Sequence, residues 1–154
     1  TVYMLTSMLH DVVVRGTGAA VNQLGRRDLA GKTGTSNDET DAWFNGYHPT
    51  LAATVWVGYD QPKPMGKGEV GGRAALPVWI DFMRGALKGV VDMSPIAPAG
   101  MTTVRINPAN GKLAWEGSER FINETLPLDR LPEEDDGLIP GQETEAGSAA
   151  QDLF

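Results

Sequence analysis

Eight consecutive residues, Leu29-Ala30-Gly31-Lys32-Thr33-Gly34-Thr35-Ser36, concentrate groups able to do chemistry. They hold one lysine, three hydroxyls and two glycines, and no bulky side chain follows Leu29. Such a run fills no core. It lets a ligand lie against the backbone while an ammonium and hydroxyls converge on it. A carboxylate suits these donors, because charge-assisted hydrogen bonds are about twice as strong as neutral ones. Read as a strand with a period of two, Thr33 and Thr35 share one side, and Lys32 and Ser36 the other.

Other chemistries fit less well. Gly31-Lys32-Thr33 ends like a phosphate-binding loop, but that motif needs Gly at position 26, where Arg26 stands. It must also open a helix, and Gly34-Thr35-Ser36-Asn37-Asp38 is a poor helix start. The absence of cysteine excludes thiolate metal sites and a disulfide framework. His10 has no second ligand three or four residues away, so it reads as a surface or part-buried histidine. His48, beside Pro49, reads as a turn residue. Glu133-Glu134-Asp135-Asp136 lacks the alternating ligands of an EF-hand loop and reads as a solvated acidic run.

The elements that must position the central stretch follow from periodicity. Val2, Leu5, Met8, Leu9, Val12 and Val13 predict a helix over 2–14, stopped near Gly16. Residues 17–28 read as an irregular connector. Trp43–Tyr47 and Leu51–Tyr59 read as strands turning at His48-Pro49, with Trp43, Trp56 and Tyr59 expected in the core. The small and apolar run Leu51–Val57 predicts a strand covered on both faces. A loop rich in Pro and Gly spans 61–72. A second helix is expected over 75–88, with Pro77 in its first turn and Val78, Trp79, Phe82, Met83, Ala86 and Leu87 as its buried stripe. Further on, Thr102–Asn107 and Lys112–Trp115 predict a small hairpin through Pro108-Ala109-Asn110-Gly111.

Charge is unevenly placed in this chain of net charge −7. Residues 1–90 carry nine Lys/Arg against eight Asp/Glu, whereas 91–154 carry four against twelve. The acidic C-terminal part argues against nucleic acid as its partner. Residues 132–154 contain no Lys or Arg and predict a mobile tail. No apolar run approaches the roughly 18 residues of a membrane-spanning helix. The chain opens on Thr1 inside a helical pattern, which leads us to expect a piece of something longer.

Lys32-Thr33-Gly34 is also one of three short motifs shared by serine enzymes that handle penicillins. Arg15-Gly16-Thr17-Gly18-Ala19-Ala20 precedes it, and Asp41-Ala42-Trp43-Phe44-Asn45-Gly46-Tyr47 and Val55-Trp56-Val57-Gly58-Tyr59-Asp60 follow. Together these resemble the transpeptidase domain of the class A (bifunctional) penicillin-binding proteins, which build the cell wall of Gram-negative bacteria. The resemblance is close over residues 1–90 and loose over 91–130. A β-lactamase or a simple carboxypeptidase would end near the second helix, whereas residues 91–154 follow here.

The resemblance implies an α+β fold of the serine β-lactamase/transpeptidase type, an antiparallel sheet covered by helices, with a small β extension. It divides the chain into 1–90, the C-terminal portion of a transpeptidase domain; 91–131, a linker and hairpin; and 132–154, the acidic tail. The implied parent activity is DD-transpeptidase cross-linking of peptidoglycan through an acyl-serine, with β-lactams as covalent inhibitors. Lys32 would set the local positive field, Thr33 and Thr35 would hold the substrate carboxylate, and the Thr35 N–H would be an oxyanion donor. Gly34 would leave room for the substrate to pair with the strand, and Gly31 and Ser36 would flank the site.

Two family motifs are missing. None of Ser7, Ser36, Ser94, Ser118 or Ser148 has Lys three residues on, and none begins Ser-x-Asn. The chain is therefore expected to supply a binding wall without the nucleophile and to be inactive alone. Its expected partners are the D-alanyl-D-alanine end of the wall peptide, β-lactams, and the remainder of the domain, in the same protein or as another chain. No metal or organic cofactor is implied. The expected location is the periplasmic face of the inner membrane, through an anchor outside these residues. The competing class is a non-catalytic interaction module; a nucleotide-binding loop is the weaker rival.

Overall fold

The computed structural model describes residues 1–135. The chain divides into two compact units, Thr1–Ile96 and a second beginning at Ala97.

In the first unit, helix α1 (Val2–Val14) is followed by a 3-10 helix (Ala19–Leu24) and an antiparallel sheet ordered β1-β2-β3. The strands are β1 (Ala30–Thr35), β2 (Asp41–His48) and β3 (Leu51–Gly58). Pro49 and Thr50 make the tight turn between β2 and β3, as the sequence predicts. The 3-10 helix occupies part of the stretch read as irregular.

Helices α2 (Gly71–Ala74) and α3 (Leu76–Ala86) replace the single helix expected over 75–88. Pro77 lacks the N–H that would carry the ladder back into the preceding turn, so the helix is interrupted there. The buried stripe is also rotated from the expected one. Leu76, Trp79, Ile80, Met83 and Leu87 are buried, whereas Val78 and Phe82 are exposed.

These residues pack on one face of the sheet, against Ala42 and Phe44, with the Trp79 ring edge-on to Phe44 at 5.0 Å. Trp79 also donates its indole N–H to the Ala53 carbonyl, 3.0 Å away. Val13, Val21 and Leu29 complete this core.

The opposite face corrects the expectation that Trp43, Trp56 and Tyr59 are core and that β3 is covered on both faces. Trp43, Trp56 and Tyr59 are 39%, 42% and 45% exposed. Strand alternation explains it: Phe44 and Val55 point to the helices, so Trp43 and Trp56 must point away. They lie against each other, ring centroids 6.2 Å apart, with no further layer over them among the described residues. On α1, Val2, Leu5 and Met8 are likewise exposed.

In the second unit, β4 (Met101–Ile106) pairs antiparallel with β5 (Ile122–Pro127). The hairpin expected between 102–107 and 112–115 is therefore corrected. The turn forms, with Gly111 in the left-handed region and hydrogen bonds between Asn107 and both Gly111 and Lys112. The pairing then ends at one bridge, Ile106 to Leu113. Beyond it the chain turns again between Trp115 and Ser118, and β5 takes the other edge of β4 with a six-residue match. The acidic run is partly built in rather than solvated: Leu113 pairs with residues 133–135, and buried Asp135 accepts a hydrogen bond of 2.6 Å from Asn107 Nδ2. The rest of the expected mobile tail, residues 136–154, lies outside the described residues.

Candidate active site at the open edge of strand β1

Strand β1 forms although its sequence, Ala-Gly-Lys-Thr-Gly-Thr, is poor in strand-favouring bulk. Its partner supplies what it lacks. Thr33 lies opposite Phe44 and Thr35 opposite Ala42, so both threonines leave on the helix-covered face. Lys32 lies opposite Asn45 and leaves on the other face, as period two predicts. Its ammonium then returns along the strand. Nζ donates to the Thr33 carbonyl at 2.9 Å and approaches Thr33 Oγ1 at 3.3 Å. The ammonium and the Thr33 hydroxyl thus meet at the strand edge, from stems on opposite faces.

Among the described residues no strand pairs with that edge. The Ser36 N–H points inward, to the Asp41 carbonyl on β2. Successive strand amides alternate in direction, so the Thr35 N–H points outward. The Thr33 carbonyl taken by Lys32 faces the same way. A donor, an acceptor, an ammonium and hydroxyls share one edge.

Two segments flank it. Thr17, just past α1, places its Oγ1 2.8 Å from Thr33 Oγ1. Gly71, opening α2, donates its N–H to Thr35 Oγ1 at 3.1 Å. Only glycine fits at position 71: a Cβ there would stand 2.3 Å from the Trp43 carbonyl oxygen and 2.5 Å from that of Gly34.

Ser36 is not aimed at the threonines. Its hydroxyl receives the Asp41 N–H at 2.8 Å and meets Thr40 Oγ1 at 2.7 Å, within the β1–β2 turn. Asp38 and Glu39 in that turn hold φ of 59° and 55°, a strained region for side-chain-bearing residues. Glu39 anchors the following loop, accepting the Gly68 N–H on its carboxylate and the Met65 N–H on its carbonyl. The Trp56 indole N–H, with the Thr40 hydroxyl, holds the Asp41 carboxyl below its usual range.

At the other end of β1 lies a cluster the sequence reading missed. His48, read as a turn residue, is buried, with Nε2 3.1 Å from Asp28 Oδ2 and Nδ1 2.9 Å from Thr50 Oγ1. Asp28 also pairs with Arg26 and accepts the Met93 N–H at 2.7 Å. Arg26 reaches on to the carbonyls of Val90 and Val91. Burial raises the cost of the Asp28 charge, but the Arg26 and Met93 hydrogen bonds outweigh it and hold the carboxyl below its usual range. The available signal was alternation in β2, which puts His48 on the same face as Ala42, Phe44 and Gly46. His10 is part-buried, as expected, and bonds the Leu29 carbonyl through Nδ1 at 2.8 Å.

Gly31-Lys32-Thr33 sits inside a strand and opens no helix, which removes the nucleotide-loop reading. Among the described residues no cluster of His, Cys, Asp or Glu could hold a metal ion. No described helix is long and apolar enough to cross a membrane.

Sequence and structure comparisons place this α+β chain in the penicillin-binding protein family. Several of the relatives it matches carry the name penicillin-binding protein 1A. Penicillin-binding protein 1A of Pseudomonas aeruginosa is 45% identical over 148 residues, covering 92% of this chain and 18% of that protein. Penicillin-binding protein 1A of Neisseria meningitidis serogroup A is 40% identical over 145 residues, covering 88% of this chain and 17% of the relative. The crystal structure of penicillin-binding protein 1A from Haemophilus influenzae superposes with a TM-score of 0.77 at 28% identity, over 86% of this chain and 21% of that one. The chain thus spans less than a fifth of the length of these curated relatives. No protein-family profile matches it.

Proposed function

We propose that this chain is the substrate-binding wall of a peptidoglycan DD-transpeptidase, which cross-links wall peptides through an acyl-serine and is acylated by β-lactams. The observation that carries the reading is the convergence of the Lys32 ammonium with the Thr33 hydroxyl at the open edge of β1, two residues along the strand from Thr35. Acyl transfer needs a nucleophile, a base, donors for the oxyanion and a hold on the substrate. These residues supply the last two.

In this reading Thr33 and Thr35 hold the carboxylate that both penicillin and the D-alanyl-D-alanine terminus carry near the reacting carbonyl. The outward Thr35 N–H is one oxyanion donor. Lys32 provides the field that favours both anions, at an edge where substrate pairs with the strand in place of a further neighbour. Gly34 leaves that face clear, and Ser36 fixes the turn at the strand's end. Nucleophile and base come from a segment outside these 154 residues, so the chain alone is inactive. The intact enzyme works on the periplasmic side of the bacterial inner membrane.

The test is the second-order rate of labelling by a fluorescent penicillin in the intact protein carrying this sequence, with circular dichroism to confirm folding. Thr35→Val keeps the backbone N–H and removes one bond to a carboxylate, on the order of 1.5–3 kcal/mol, or ~10- to 150-fold. Lys32→Met keeps the stem and removes the charge, and is expected to be more damaging. Parental rates in both variants would sink the assignment of these residues.

A further inference from the structure

The stretch Arg15-Gly16-Thr17-Gly18-Ala19-Ala20 has no part in the function proposed above, yet it touches the strand that does. Thr17 Oγ1 and Thr33 Oγ1 are 2.8 Å apart, and the geometry alone leaves open which hydroxyl donates. The surroundings bear on the choice. A threonine hydroxyl has one proton to give and two lone pairs to receive with. The Lys32 ammonium has only protons to give, and at 3.3 Å it takes one lone pair of Thr33. If Thr17 donates, it fills the second, and the Thr33 proton is left for an incoming anion. If Thr33 donates to Thr17, its oxygen meets that anion lone pair to lone pair. Thr35 is set without ambiguity, because its backbone partner at Gly71 can only donate.

Thr17 is also held in place. The Gly18 N–H bonds the Val12 carbonyl at 2.9 Å, folding the chain back over the end of α1. A Cβ on Gly18 would stand 3.2 Å from that oxygen and from Val13 Cγ1. On the other side, a Cβ on Gly72 would stand 3.2 Å from the Thr17 carbonyl oxygen. The backbone at Thr17 is closely packed against α1 and α2, and its exposed hydroxyl meets that of Thr33.

We propose that Thr17 is a positioning residue. In the ligand-bound state its hydroxyl donates to Thr33 Oγ1, and this turns the Thr33 proton toward the substrate carboxylate. Thr17 touches no reacting atom. Its contribution is discrimination: with Thr17 present the site favours an ionised carboxylate over a neutral group of similar shape. The inference rests on the carboxylate-binding role proposed for Thr33.

The experiment uses the intact protein carrying this sequence and two acylating agents: a fluorescent penicillin with its free carboxylate, and the methyl ester of the same compound. The quantity read is the ratio of the two second-order acylation rates, acid over ester. Thr17→Val is expected to lower the ratio about 5-fold, the scale of one net hydrogen bond, and Thr17→Ser to restore it. Should Thr17→Val fail to fold, Thr17→Ala carries the same comparison. An unchanged ratio, or acid and ester rates falling by the same factor, overturns the inference and leaves Thr17 a structural residue. Lys32→Met separates the two levels of the argument. If it labels with the acid at the parental rate, the carboxylate site itself is wrong. If it loses acid labelling while the Thr17 variants keep the parental ratio, only the role of Thr17 fails.

Discussion

Gly31 and Gly34, two residues of the same short strand, are glycines for different reasons. A Cβ at Gly31 would stand 2.8 Å from the Asn45 carbonyl oxygen, 2.8 Å from Phe44 Cζ and 2.9 Å from Gly46 Cα. Two of those are backbone atoms, which cannot swing aside. A Cβ at Gly34 would meet only the Trp43 side chain, at 3.2 Å. Gly31→Ala is therefore expected to destabilise the unit by about 1–3 kcal/mol, the usual cost of overpacking. Gly34→Ala should cost well under that and act chiefly on acylation. Urea unfolding of both variants beside their penicillin labelling rates checks this; equal stability losses would refute the distinction. From the sequence, both glycines read as room for a ligand. Only the partner strand shows that Gly31 makes room for Phe44, and no local pattern in 29–36 encodes that neighbour.

At the scale of elements, Arg26, Asp28 and His48 fasten the segment after α3 to the entry of β1. Asp28 sits at the centre, facing Arg26, His48 and the Met93 N–H, with Asp92 nearby. Its folded-state pKa is depressed, so its stabilising contribution is complete above the unfolded value, near ~3.9. That contribution is lost as pH falls through the folded value. Asp28→Asn should thus cost on the order of 3 kcal/mol at neutral pH, as expected for removing one partner of a buried pair. The gap from the parent protein should begin to narrow below about pH 4 and close only below the depressed folded-state value. Hydrogen exchange at the Met93 amide should speed up in the same variant. An amide equally protected in both proteins would show that the fastening is dispensable.

The same scale shows which elements the sequence reveals. Strand β1 is legible through the motif it carries; helix α1 and strands β2 and β3 are legible because apolar, aromatic or β-branched residues run through a contiguous window. Strand β5 is not, because Ile122–Pro127 alternates weakly and finds β4 only across an excursion of fifteen residues, from 107 to 121. The rotated stripe of α3 has a tertiary cause. Which of Val78, Trp79, Ile80 and Phe82 turns inward is decided by Phe44 and the 3-10 helix, not by the helix itself.

For the molecule as a whole, the outer edges of β1 and β3, the Trp43–Trp56 face and the Val2, Leu5 and Met8 side of α1 are left uncovered among the described residues. Free sheet edges and apolar patches favour association. The chain by itself is expected to self-associate in a concentration-dependent way, measurable by sedimentation velocity. A monomer with a sharp, cooperative melt across a hundredfold dilution range would count against this. Composition could not foresee the exposure, since tryptophan in a strand ordinarily signals a core. The open edge of β1 was foreseeable only through the motif it carries.

The placement of the four tryptophans gives this chain an optical asymmetry. Trp79 is fully enclosed among hydrocarbon, whereas Trp43 and Trp56 meet water on the bare side of the sheet. Indole emission shifts to longer wavelength as water approaches the ring. Trp79 therefore emits at the blue end of the spectrum, and the exposed pair, together with half-exposed Trp115 of the second unit, contributes the red shoulder. Iodide or acrylamide would extinguish that shoulder first. Whatever comes to lie over the bare side removes the water from that pair, so the protein carries its own chromophore for the event.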